Sequence, residues 1–237
     1  MAGKYVCYIA FAPDSGVPTP ALLARLSSLE RDLVMHLPTE QQRRQSTLAR
    51  LAGKSAIERR LGRRASRSSR VEILKAANGE PVALVDGNAG VASVSLAHSS
   101  RLAVACAWTN LPRNGHSAGV DLERVRHSEV ASSPYAFSRR ERRLISAASQ
   151  GTSWIGLAAW TAKEATWKAM RPEAECGPET IEICGLDLRQ GRAALRPRGK
   201  LVARFHQATL RARLNVIPGP DGMYLLTIAE VVSRSRG

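Results

Sequence analysis

Two acidic residues, Asp121 and Glu123, alternate with apolar residues in the segment Gly-Val-Asp-Leu-Glu, which begins at Gly119. On a β-strand, residues at i and i+2 point to the same face, so the two carboxylates are expected side by side. Adjacent carboxylates repel each other unless a cation lies between them, and Mg²⁺ commonly takes one or two carboxylates together with phosphate oxygens and water. The alternative is a strand end at which both acids pair with Arg124 and Arg126. Taken alone, the segment favours this alternative.

A second segment, Trp-Thr-Ala-Lys-Glu-Ala-Thr-Trp-Lys, runs from Trp160 to Lys168. On a helix, Trp160, Glu164 and Lys168 share one face because they are four residues apart. The simpler interpretation is a surface glutamate–lysine pair beside a core tryptophan. The other interpretation is a metal–diphosphate site, in which Glu164 completes a magnesium shell while Lys163 and Lys168 neutralise phosphate oxygens.

A third segment, Ser-Leu-Ala-His-Ser, ends a β-prone run and contains His98. A histidine at the end of a strand is more often structural than functional. As an anion contact, it would donate a hydrogen bond to a phosphate, helped by the neighbouring serine hydroxyls.

Helices and short strands must position these residues. Helices are predicted from Thr19, from a capping box at Thr39 to near Gly62, and from a second capping box at Ser138 to about Met170. The β-prone runs cover residues 5–12, 71–74, 82–85, 91–96, 102–107, 118–122, 180–184, 201–205 and 224–232. A polar linker is predicted over residues 109–117. We therefore expect an α+β fold with two halves, residues 1–112 and 113–237, each with a long helix against a small antiparallel sheet.

Composition narrows the class of protein. Among 237 residues the formal net charge is +15, which favours an anionic partner: nucleic acid, a polyphosphate cofactor or an acidic protein surface. No apolar run reaches the ~18 residues of a membrane span, and the N-terminal run is interpreted as the first buried strand of a cytoplasmic protein. Four cysteines without a Cys-x-x-Cys pair exclude a zinc ribbon. A basic nucleic-acid-binding protein stays open as an alternative, although the sequence contains no helix-turn-helix or aromatic stacking pattern.

The three segments, in their order and spacing, resemble the 4′-phosphopantetheinyl transferases, and in particular the larger two-half, surfactin-synthetase-activating type. The resemblance also includes Leu-Ala-Gly-Lys at residues 51–54, a Gly-x-Pro turn at residues 79–81 and Phe-Ser-x-x-Glu at residues 137–141. It implies a pseudo-dimer of two similar halves, with the active site in the cleft between them. Glu80 and Ala97 depart from the family pattern, the first where a basic residue is common and the second where many relatives have serine.

The resemblance also implies roles for individual residues. Asp121, Glu123 and Glu164 would hold Mg²⁺, Glu164 would act as the base, and Lys168 would contact the diphosphate of coenzyme A. The other implied coenzyme contacts are Arg50 and Lys54 at the nucleotide end, His98 at the 3′-phosphate and Lys163 near the diphosphate.

The implied reaction transfers the 4′-phosphopantetheine arm of coenzyme A to a serine of an apo acyl or peptidyl carrier protein and releases 3′,5′-ADP. Such a monomeric, cytoplasmic transferase would serve fatty acid, polyketide or nonribosomal peptide synthesis. Arginines at residues 59–70 or 139–143 are predicted to help dock the acidic carrier. A relative that binds the coenzyme without catalysis is a further alternative, which the joint presence of Asp121, Glu123, Glu164 and Lys168 argues against.

Overall fold

The structure is a computed structural model that describes residues 7–62, 70–109, 116–125, 136–148, 153–171 and 176–233. The chain divides into two compact units, residues 1–110 and 111–237. No helix in the described part of the chain is both long and apolar enough to cross a lipid bilayer.

The first unit contains antiparallel strands and one long helix. Its elements are β1 (Tyr8–Pro13), α1 (Thr19–Leu23), α2 (Ser28–Met35), α3 (Glu40–Arg60), β2 (Val71–Lys75), β3 (Pro81–Val85), β4 (Asn88–Ala89), β5 (Ser93–Ser99) and β6 (Leu102–Trp108). The strands form two sheets, in the orders β1-β6-β5 and β2-β3-β4. Helix α3 packs against β1, β5, β6 and β2 and so forms the centre of this unit.

Capping boxes mark where two of the helices of this unit, α2 and α3, begin. The predicted capping box at Thr39 is present, since its hydroxyl accepts a hydrogen bond from the Gln42 amide and the Gln42 side chain accepts one from the Thr39 amide. A second box, formed by Ser27 and Glu30, begins α2. The single helix predicted from Thr19 is therefore two helices, because a new cap interrupts it.

The second unit is built on one larger sheet. Its elements are β7 (His116–Arg124), α4 (Arg139–Ala148), α5 (Ile155–Met170), a 3-10 turn at Pro178–Thr180, β8 (Ile181–Asp187), β9 (Arg192–Pro197), α6 (Leu201–Phe205), β10 (Ala208–Gly219) and β11 (Gly222–Ser233). All five strands are antiparallel to their neighbours, in the order β7-β11-β10-β9-β8. Helix α5 packs on this sheet with its alanines buried.

Several sequence predictions in this unit need correction. The single helix predicted from Ser138 to about Met170 is two helices, α4 and α5. Residues 201–205 were predicted as a strand but form the short helix α6, in which Leu201 and Phe205 are buried four residues apart on one face. Strands β9 and β10 were not predicted. In β10 the buried residues Leu210, Ala212 and Leu214 alternate with exposed arginines and an asparagine, a period-two pattern that the charged residues obscured. The end of the predicted linker, from His116, belongs to β7; residues 110–115 lie outside the described residues.

The two units share one order of elements. In each, the first strand pairs with the last one, β1 with β6 and β7 with β11. In each, a short capped helix precedes a long helix, α2 before α3 and α4 before α5, and two antiparallel strands follow the long helix. The prediction of an α+β fold with antiparallel sheets is thus confirmed, while the pseudo-dimer stays a prediction.

Candidate active site

Strand β7 and helix α5 bring the predicted acidic residues into one neighbourhood. The two elements approach closely at Gly119, where an added Cβ would overlap the Ala165 carbonyl oxygen and lie 2.5 Å from the Ala169 nitrogen. The Ser117 hydroxyl also donates a hydrogen bond to the Ala169 carbonyl at 2.6 Å. A residue without a side chain at position 119 therefore allows the helix to lie directly on the strand that carries Asp121.

Lys168 of α5 is the basic residue at this junction. Its Nζ donates to Asp121 Oδ1 at 2.7 Å and lies 4.0 Å from Glu164 Oε2. Burial lowers the pKa of Lys168, but the charges of Asp121, Glu164 and Glu123 more than offset this effect, so the pKa lies above its usual value. The lysine is therefore a cation held among the three predicted carboxylates.

The surroundings of Glu164 raise its pKa above the usual value. Burial raises the pKa of Glu164, the nearby charges of Asp121 and Glu179 raise it further, and Lys168 opposes the shift. Glu179, on the 3-10 turn Pro178–Thr180, was not predicted as part of the site. Only the fold brings this turn towards α5, so no local motif identified it.

One atom at this junction is left without a partner. Asp121 is 4% exposed, and its Oδ2 is a buried oxygen with no hydrogen-bond partner. A carboxylate oxygen is the donor type that Mg²⁺ prefers, so this atom fits a magnesium ligand. Within the described ranges, however, no group of three or more His, Cys, Asp or Glu side chains is arranged to hold a metal. The three-carboxylate magnesium set therefore stays a prediction.

Lys163, predicted near the diphosphate, lies in the interior of the second unit. It is 1% exposed, and its Nζ donates to Glu141 Oε1 at 3.0 Å and to the Ala136 carbonyl at 2.8 Å. The ammonium also lies 5.2 Å from the centre of the Phe137 ring. Because these contacts occupy the ammonium group, they do not support the predicted contact with the diphosphate.

Two of the coenzyme contacts predicted in the first unit have interior partners as well. Arg50 is buried, donates to the Ile73 carbonyl at 3.2 Å and contacts Ser46, and burial lowers the pKa of its guanidinium. Lys54 pairs with the buried Glu30 at 2.6 Å. Their positions support structural roles.

His98 lies differently from these two. It is exposed near the end of β5, opposite Ala103 of β6. This position is compatible with the predicted phosphate contact, which stays a prediction.

Comparisons with known proteins match the part of the chain that contains this junction. Residues 117–224 match the family model of ACPS, the 4′-phosphopantetheinyl transferase superfamily. The matched range includes Asp121, Glu123, Glu164 and Lys168. No curated protein matches the chain in sequence.

Solved structures of ACPS are also similar to the chain. The apo-ACPS structure from Chronobacterium ammoniagenes is 26% identical, with 52% of this chain and 99% of that chain covered and a TM-score of 0.37. The ACPS–CoA complex from the same organism is 27% identical, with 52% and 98% covered and a TM-score of 0.36.

Proposed function

We propose that the protein transfers the 4′-phosphopantetheine moiety of coenzyme A to a serine of an apo acyl or peptidyl carrier protein and releases 3′,5′-ADP. The observation that carries this proposal is the junction of β7 and α5, where Asp121, Glu164 and Lys168 lie together within the region matched to the superfamily. A lysine among carboxylates, with one carboxylate oxygen unsatisfied, suits a substrate that carries both phosphate and a divalent cation.

Each side chain would have a definite part in the reaction. The serine hydroxyl oxygen forms a bond to the β-phosphorus of coenzyme A, and the bond from that phosphorus to the oxygen of 3′,5′-ADP breaks. Glu164 would accept the serine proton as the general base, as the resemblance to the family implies. Lys168 neutralises the negative charge of the diphosphate oxygens.

Asp121, Glu123 and Glu164 would hold the magnesium ion. When bound, Mg²⁺ supplies Lewis-acid stabilisation of the charge on the diphosphate. The unsatisfied Oδ2 of Asp121 supports this assignment. Lys168 and the ion would then both contact Asp121. This is compatible with the proposal, because both cations would stabilise the negative charge of the same diphosphate.

We also propose that the chain is of the larger two-half type, a pseudo-dimer in which the first unit serves the nucleotide end of coenzyme A and the second contains the metal site. The shared order of elements in the two units supports this assignment. His98 is the contact in the first unit that we retain for the 3′-phosphate. As part of the same proposal, the partner is an acidic carrier protein, and the enzyme is cytoplasmic and monomeric.

A transfer assay tests the function. The protein is incubated with coenzyme A, Mg²⁺ and a panel of apo carrier proteins, and the carriers are examined by mass spectrometry for one added phosphopantetheine arm. We expect transfer by the unaltered protein and a loss of about a hundredfold or more in Asp121→Asn. The matched control is Asp187→Asn, the same change at an exposed aspartate of β8, which should keep full activity.

Two results would count against the proposal. Absence of transfer to every carrier by a folded protein would refute the function, and salt-sensitive binding of DNA or RNA without Mg²⁺ or coenzyme A would favour the nucleic-acid alternative. Full activity of Asp121→Asn would leave the function standing and refute this site.

A further inference from the structure

The second unit contains a buried ion pair that is joined to three elements. Glu141 Oε1 accepts hydrogen bonds from Lys163 Nζ and from the Ile183 amide of β8, each at 3.0 Å, and Glu141 Oε2 accepts one from the Ser138 amide at 2.7 Å. Both charged side chains are 1% exposed. This pair, with its strand amide, is called the latch; it ties the start of α4, the middle of α5 and the edge strand β8 together.

The first unit contains a similar arrangement, in which the lysine is 17% exposed. Glu30 accepts hydrogen bonds from the Ile73 amide of β2 and from the Ser27 amide, each at 2.9 Å, and its other contact is Lys54 Nζ at 2.6 Å. Glu30 is fully buried. Glutamate, lysine and strand amide thus recur on corresponding elements, α2, α3 and β2 in place of α4, α5 and β8.

Helix capping alone does not explain the latch. A capping box needs only the serine and the glutamate, whereas each glutamate here also takes a lysine and a strand amide from distant parts of the chain. Removing two charges from water is unfavourable, and such a pair persists only when its geometry and additional hydrogen bonds are good. Both latches meet that condition, so each joins a long helix to its surroundings in one defined position.

The residue that follows the latch lysine differs between the units. In α5 it is Glu164, and Lys168 lies five residues after the latch lysine; the same positions in α3 are Ser55 and Arg59. Successive helix residues are turned by about 100°, so a small rotation of α5 about its axis moves Glu164 and Lys168 relative to β7. Only the latch of the second unit can therefore affect the position of side chains of the candidate site.

We propose that Glu141 and Lys163 are positioning residues, which fix the rotation of α5 and thereby place Glu164 and Lys168 against Asp121, whereas the latch of Glu30 and Lys54 is structural only. This inference rests on the proposed function for its effect on catalysis. The two latches nevertheless provide an internal control, because the same chemical change can be made at corresponding positions of the two units.

The test compares Glu141→Gln with Glu30→Gln. Each change keeps the shape of the side chain but removes the charge that holds the lysine, so both variants should have a lower Tm. We expect kcat for transfer to fall about tenfold or more in Glu141→Gln, since small misplacements of reacting groups are costly, and to change less than about twofold in Glu30→Gln. The KM for coenzyme A should rise in Glu141→Gln, because the displaced Lys168 contacts the diphosphate, and should stay near its original value in Glu30→Gln.

Hydrogen exchange gives a readout that does not need activity. Amide protection should fall locally in α5 for Glu141→Gln and in α3 for Glu30→Gln. If the unaltered protein shows no transfer, the proposed function fails by itself, and hydrogen exchange still decides whether the latch of the second unit positions α5. Unchanged amide protection of α5 in Glu141→Gln would overturn the inference.

Two further outcomes would overturn the inference in an active enzyme. One is an equal loss of kcat in both variants, because the loss would then follow stability; the other is full kcat in a folded Glu141→Gln. Should Glu141→Gln not fold, the double variant Glu141→Gln/Lys163→Met removes both charges and leaves no unpaired ion, and the same fall in kcat is expected of it.

Discussion

The ion pair between Asp121 and Lys168 explains how a buried carboxylate is tolerated on β7. A buried charge needs a partner, and Lys168 provides one for Oδ1 at 2.7 Å, while Oδ2 has none. Lys168 thus satisfies one of the two carboxylate oxygens of Asp121. A divalent ion that takes Oδ2 would complete its coordination and stabilise the folded protein.

Removal of the lysine makes the first prediction at the scale of the residue. Lys168→Met should lower the free energy of unfolding by about 1–3 kcal/mol in the absence of Mg²⁺, because Asp121 is left buried without a partner. Added Mg²⁺ should restore more stability in this variant than in the unaltered protein, since the ion binds only the folded site. Thermal unfolding with and without Mg²⁺ measures both effects.

The control for this prediction is Lys75→Met, the same change at an exposed lysine at the end of β2. It should leave stability and the response to Mg²⁺ nearly unchanged. An identical response to Mg²⁺ in both variants would show that the ion does not bind beside Asp121.

At the scale of the element, the contact between α5 and β7 depends on Gly119. The backbone of α5 occupies the space that a side chain would need there, with the Ala165 carbonyl oxygen and the Ala169 nitrogen as the nearest atoms. Backbone atoms cannot rotate away as side chains do. Close helix–strand packing at this residue is therefore what brings Glu164 and Lys168 within reach of Asp121.

The second glycine at such a contact, Gly53 of α3, makes a matched prediction possible. Gly119→Ala should lower the free energy of unfolding by about 1–3 kcal/mol and reduce transfer, because the added methyl group pushes α5 from β7. Gly53→Ala should cost less, since its methyl group meets the ends of the Ile73 and Leu96 side chains, which can rotate. Chemical denaturation measures both, and a larger loss in Gly53→Ala would contradict this account.

For the whole molecule, the structure describes only some of the basic residues that give the chain its formal charge of +15. Arg139, Arg140 and Arg143 are exposed in the first turns of α4. Cations near a helix N-terminus are unfavourable, and like charges three and four residues apart repel each other, so these arginines do not stabilise the helix. The other predicted arginine cluster, at residues 59–70, is described only in part, because residues 63–69 lie outside the described residues.

Charge reversal tests whether α4 helps to dock an acidic carrier protein. We expect Arg139→Glu/Arg143→Glu to raise the KM for the carrier about tenfold at low salt and to flatten its salt dependence, because complementary charges mainly speed encounter. The value of kcat should change little. Steady-state transfer at several salt concentrations gives both constants.

The control, Arg211→Glu/Arg213→Glu, makes the same change of charge on the exposed face of β10. It should affect carrier kinetics less than reversal on α4. Equal effects of the two double variants would mean that net charge matters and that α4 is no docking surface.

Much of this architecture is predictable from the sequence because its signals are local. The capping boxes at Thr39 and Ser138 involve residues three apart, and the Asp86-Gly87 turn between β3 and β4 has the positive φ angles of +52° and +79° that its residue types favour. Residues 201–205 could not be assigned in this way. Their apolar side chains suit a strand or a helix equally, and burial of Leu201 and Phe205 in the core decides for the helix.

The sequence by itself determined which residues have the chemistry of the candidate site: the alternating acids of β7 and the glutamate and lysines of α5. Only the tertiary structure decided which lysine lies at the site, since Lys163 is held in the interior by Glu141 and Lys168 reaches Asp121. The physical reason is that spacing along a helix or strand is a local property. Burial and ion pairing depend on residues that are far apart in the chain and meet only when it folds.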